Sequence, residues 1–118
     1  MGIPVPLITI TSEKNMRMHS SRRKYVVITS RVHSGESLAS YVMKGIIDYL
    51  VSPAARNARD KYIFKLIPIL NADGVTSGNY RSSIVGLDLN RIWKEADPRI
   101  HPEIFYTKEM IKELHSSG

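Results

Sequence analysis

Cysteine is absent from the 118 residues. Disulfides and thiolate metal sites are thereby excluded, so a bound metal could draw only on His, Asp or Glu. No apolar run approaches the ~20 residues that span a bilayer. The opening MGIPVPLITITSEK has no basic segment ahead of its apolar stretch, which a secretory leader requires. Pro6 stands where a myristoylation signal has Ser or Thr. There is no internal repeat and no low-complexity segment. Neither zinc-finger spacing nor an RNP signature occurs, so a nucleic-acid partner would rest on charge alone. These absences leave a soluble domain with no membrane segment, for which the cytosol is the default compartment.

What is present is 42% hydrophobic and 24% charged, the balance of a globular chain long enough for one small domain with one core. The net charge is +6, with Arg17, Arg22, Arg23 and Lys24 locally dense and Arg31 just beyond. Such a surplus favours acidic partners; a solvated basic loop is the equally good bland reading.

Along the chain, the β-branched Val5–Thr11 reads as a strand, and SEKNMRMHSSRRK as a polar loop. Tyr25–Ser30 is a continuous apolar run, expected to be a strand covered on both faces. Gly35 permits a tight turn, and Ser37 is placed to cap a helix. Leu38, Val42, Ile46, Tyr49 and Leu50 form a helical stripe, Gly45 beside it would allow close approach to a sheet, and Pro53 stops the helix. Tyr62–Leu70 is a further strand. Strand, helix, strand implies a right-handed crossover and a parallel pair. Asn71–Trp93 reads as a long loop. A last helix begins near Pro102, with Ile104, Ile111 and Leu114 at helical spacing. The fold class is α/β, with loops gathered at strand C-terminal ends, where open α/β sheets bind ligands.

His33 and Glu36 sit where the apolar strand gives way to the helix. Imidazole nitrogen and carboxylate oxygen both suit zinc, and a catalytic zinc takes three protein ligands and keeps one position open. Spacing alone is weak: a loop histidine beside a first-turn carboxylate fits as well. Downstream, Arg81 and the pair Asn90 and Arg91 could fork onto carboxylate or carbonyl oxygens, although structural loop roles fit each taken singly.

Taken in order, PVPLITIT, SRVHSGESLASYVMKGIIDYLVS, FKLIPILNADGVTSGNYRSSIVGLDLNRIW and HPEIFYTK resemble the zinc metallocarboxypeptidases, most closely their cytosolic carboxypeptidase, deglutamylase-like branch. The resemblance covers almost the whole chain. It implies that residues 1–118 are the N-terminal portion of a zinc carboxypeptidase catalytic domain, a partial αβα sandwich with a mainly parallel or mixed sheet truncated before its later strands. It implies His33 and Glu36 as Zn2+ ligands, Arg81 as the catalytic arginine that polarises the scissile carbonyl, and Asn90 and Arg91 as the grip on the substrate's terminal carboxylate. The implied reaction is hydrolysis of C-terminal residues, glutamate foremost, from protein or peptide tails such as those of polyglutamylated tubulin, in the cytoplasm.

Three departures qualify the resemblance. Ser34 and Ala72 stand where the branch usually has proline, which should loosen two turns. The family's third zinc-binding histidine and its general-base glutamate are not in this chain; His19, His101 and His115 do not fall on the motif. The chain by itself is therefore expected to be inactive, with an exposed sheet edge open to self-association. The competing expectation is a non-catalytic, truncated module that binds acidic protein tails.

Overall fold

A computed structural model describes residues 2–117. In chain order the elements are β1 (Ile8–Ile10), α1 (Glu13–Met16), β2 (Lys24–Thr29), α2 (Leu38–Val51), α3 (Arg56–Lys61), β3 (Tyr62–Ile67), α4 (Ala72–Thr76) and α5 (Pro102–Ser116), with short 3-10 turns at Ser20–Arg22, Pro53–Ala55 and Leu89–Arg91.

The three strands form one sheet in the order β1-β3-β2. β3 pairs antiparallel with β1 and parallel with β2, so the parallel pair expected across α2 is present and the sheet is mixed. The register sets Val26 opposite Phe64 and Ile28 opposite Leu66. Because successive side chains alternate, Phe64 and Leu66 look to one face and Ile63 and Ile67 to the other. On the first face Phe64 and Leu66 pack with Met43 and Leu50 of α2 and with Ala55. On the other, Ile67 packs with Leu70, Leu89 and Ile104 of α5. Helices thus cover both faces, the layered α/β arrangement anticipated from the sequence.

Several expectations are corrected. The strand covered on both faces is central β3; β2 lies at an edge and is only half-buried. β1 begins at Ile8, not Val5, and β3 ends at Ile67, before Pro68, since Pro4, Pro6 and Pro68 have no N–H for a ladder. The core face of α2 is Met43, Ile46, Ile47 and Leu50, while Leu38 and Val42 of the expected stripe are 77% and 64% exposed and Tyr49 is also exposed. This helix is apolar on two sides, and the sheet selects one. Gly45 is on the solvent side, with nothing within 4 Å of where a Cβ would stand. Ser37 is itself helical in conformation and makes no side-chain cap. In α5 Ile104 is fully buried but Ile111 is 41% exposed.

The polar segment after β1 is ordered, not a free loop. Ser12 caps α1, buried Asn15 donates Nδ2 to the Arg59 carbonyl, and Arg23 donates to the Met16 and Met18 carbonyls. Part of the basic surplus is therefore spent inside the fold. Likewise α4 and the Leu89–Arg91 turn give the long Asn71–Trp93 connection structure of its own.

Pairing continues past the ends of β2 and β3. Ser30 donates to Ile67 O, Leu70 to Ser30 O, and Asn71 to Arg31 O, at 2.8–3.0 Å. These bonds carry the chain leaving both parallel strands to one side of the sheet, and His33 emerges there.

Candidate metal centre

His33 lies in the turn between β2 and α2 and is 7% exposed. Its Nδ1 lies 3.1 Å from Glu36 Oε1, and its Nε2 lies 2.9 Å from Asp88 Oδ1. The same Asp88 carboxylate accepts a backbone bond from Asn90 at 3.0 Å and, at its other oxygen, a bond from Arg81 Nε at 2.8 Å. Partial burial alone would push the Asp88 carboxyl up. Hydrogen bonds from His33, Arg81 and the Asn90 amide outweigh it and hold the group down at about 2, so Asp88 is ionised at neutral pH.

That charge state determines what the histidine can do. A neutral imidazole donates from one nitrogen only. With a proton on Nε2 facing ionised Asp88, a neutral ring would leave the Nδ1 lone pair on the side of Glu36. Two acceptors that close need a cation between them, a proton or a metal ion. Tetrahedral zinc with bonds of ~2.1 Å would set its ligand atoms about 3.4 Å apart. The His33–Glu36 pair is close to that spacing, and the donor set is right for zinc. Asp88 supplies the outer carboxylate that orients a metal-binding imidazole.

Replacing Asp88 by Asn should release this orientation and also leave Arg81 without its anchor. Zinc affinity, measured by competition with a chelating dye, is expected to fall roughly 10–100-fold. Affinity equal to the parent chain's would show that Asp88 does not set the ring.

Asn90 and Arg91 occupy the 3-10 turn that Asp88 caps with its side chain. Asn90 Oδ1 accepts from Trp93 Nε1 at 3.0 Å, which orients the amide. Arg91 is exposed beside it. The structure therefore brings His33 and Arg81 together through Asp88, with Glu36 joined through His33, and places Asn90 and Arg91 on the adjoining turn. The other histidines lie apart from this network. His19 bonds Ser21, His115 lines a groove with Tyr25 and Val27, and His101 is buried with Nδ1 accepting from the Asp97 amide. Among the described residues no group of three or more His, Asp or Glu side chains is placed to hold a metal ion.

Asp88 is the residue that the sequence reading missed. It stands within the DLNR motif, but its position alone reads as a turn aspartate, and its partner is 55 residues away. Ser34 departs from expectation as well. It does not loosen its turn: it is buried, and its hydroxyl donates to the Asn79 carbonyl at 2.7 Å.

Comparison with known proteins identifies the family. Residues 1–107 match the family model described as Peptidase_M14, zinc carboxypeptidase. The chain is 48% identical over 124 residues to cytosolic carboxypeptidase 4 of Homo sapiens, covering 99% of this chain and 11% of that protein. It is 47% identical over 112 residues to cytosolic carboxypeptidase 6 of Mus musculus, covering 93% and 21%. A metallo-carboxypeptidase crystal structure from Burkholderia cenocepacia superposes with a TM-score of 0.81 at 31% identity, over 99% of this chain and 31% of that one. The chain thus spans between about a tenth and a third of the proteins it matches.

Proposed function

The chain belongs to the zinc carboxypeptidase family, and from that premise we propose that His33 and Glu36 hold a catalytic zinc ion while Arg81, Asn90 and Arg91 receive the substrate. The reaction is hydrolysis of the C-terminal bond of a protein tail, with acidic, glutamate-ended tails such as polyglutamylated tubulin as the substrate class and the cytosol as the compartment. The observation that carries this reading is the single carboxylate of Asp88, which bonds both the imidazole of His33 and the guanidinium of Arg81.

Zinc, when bound, supplies Lewis-acid polarisation at the scissile carbonyl. The chain's own residues do the rest of what is assigned here. His33 and Glu36 present nitrogen and oxygen to the metal. Arg81 keeps Nε on Asp88 and turns its remaining N–H groups to the negative charge that develops on the carbonyl oxygen. Arg91 offers a bidentate fork to the terminal carboxylate, and the Asn90 amide adds a donor. The net charge of +6 suits an acidic tail. A further ligand and a general base are not assigned within these residues, so the chain alone is proposed to be inactive.

Binding of a fluorescent oligoglutamate peptide tests the carboxylate grip. A free C-terminus is expected to bind about tenfold more tightly than its amide, a difference of ~1.4 kcal/mol, and Arg91→Ala should erase the preference. Equal binding of acid and amide by the parent chain would contradict it.

One observation favours the second reading, a non-catalytic module for acidic tails. Lys14, Arg22, Lys24 and Lys61 line one groove with Asp60. On that reading peptide binding ignores Arg91→Ala and disappears as salt rises.

A further inference from the structure

The residues around the two ligands carry contacts that zinc binding does not use. Arg31 is the only non-glycine among the described residues with a positive φ, 54°. A residue with a Cβ adopts that conformation rarely and keeps it only where its surroundings hold it. Here they do. The Arg31 carbonyl accepts from the Asn71 amide at 3.0 Å. The side chain folds back so that Nε donates to the Ser34 carbonyl at 3.1 Å, Nη2 donates to the same oxygen, and Nη1 reaches Ser40 Oγ of α2 at 2.8 Å.

Ser34 is held from its other end too. It is 2% exposed, and its hydroxyl donates to Asn79 O. The next amide, Gly35 N, donates to Tyr80 O at 2.5 Å. A Cβ on Gly35 would fall within 3 Å of that oxygen, so the two backbones touch. The residue after Tyr80 is Arg81.

We propose that Arg31 and Ser34 are positioning residues, forming a latch that fixes the His33–Glu36 turn against α2 on one side and against Asn79–Tyr80 on the other. The latch sets the spacing between the ligand pair and Arg81. The His33–Asp88 bond anchors the start of this turn; Ser34 and Gly35 are held by the latch contacts. Only a planar fork can satisfy Ser34 O twice and Ser40 Oγ at once; an ammonium keeps the charge but not the geometry. The consequence for metal and substrate rests on the zinc reading; the latch itself does not.

Amide hydrogen exchange and zinc competition on Ser34→Ala and Arg31→Lys test it. Without metal, the Gly35 amide is expected to exchange about tenfold faster in both variants while β3 amides are unchanged, because only a local opening is eased. Zinc affinity should weaken about tenfold in both. Parent-like Gly35 exchange in a folded Ser34→Ala chain overturns the proposal. Should Ser34→Ala also lose β3 protection, Arg31→Lys, which leaves the buried serine in place, decides by the same amide. His33→Ala gauges the zinc reading separately. If that variant binds zinc as the parent does, the zinc reading fails, and Gly35 exchange still decides the latch.

Discussion

Asn71→Ala is expected to lower stability by roughly 2–4 kcal/mol and to disorganise both site loops together. Asn71 is 1% exposed. Its Oδ1 accepts from Gly74 N at 3.0 Å, and its Nδ2 donates to Ser82 O at 3.1 Å. Its backbone N–H holds Arg31 O, and its carbonyl accepts from Val75. One side chain therefore ties the end of β3, the start of α4 and the loop that carries Arg81. Alanine leaves the buried Gly74 donor without its partner and takes from Ser82 O one of its two donors, Asn79 Nδ2 being the other, and an orphaned buried group costs more than an average hydrogen bond gains. A urea titration measures the loss. Zinc affinity should fall in the same variant, because the loop that carries Arg81 leans on this side chain through Ser82 O. A stability change below about 0.5 kcal/mol, typical of surface positions, would show that Asn71 is not the tie.

Leu66→Ala should lower stability by about 2–5 kcal/mol, the cost of a cavity in a rigid core. Leu66 is fully buried on the central strand, between Ile8 of β1 and Ile28 of β2 in register, beneath α2. A side chain enclosed by elements on several sides has no neighbour free to collapse into the space. Domains of this size have only about 5–15 kcal/mol in total, so the variant should melt well below the parent chain. Val42→Ala, on the exposed side of α2, serves as the control and should change little. Equal costs at the two positions would overturn the assigned core face of α2.

These residues also show what could be read before the fold was known. The β2–α2–β3 unit is legible because two apolar runs flank a segment of helical period that stops at Pro53. The phase of α2 was not, because apolar residues line two of its sides and only the sheet distinguishes them. Relatives and fold bear out the family resemblance, which rested on several motifs in order. His33 and Glu36 could be singled out because they are neighbours in sequence. Asp88 could not, since its meaning comes from His33 and Arg81 meeting it in space. Arg31 reads in the sequence as surface charge; its left-handed backbone and its bonds to Ser34 exist only once the turn has formed.

The turn after β2 is proposed to hold a metal through His33 and Glu36. Calorimetric titration of the chain with Zn2+, alongside His33→Ala and Glu36→Ala, tests it most directly. Uptake at a single weak site is expected for the parent chain, weakened at least about tenfold in each variant. Zinc uptake equal in parent and both variants would contradict it, and would leave Asp88, His33 and Glu36 as a structural hydrogen-bond network with no metal to serve.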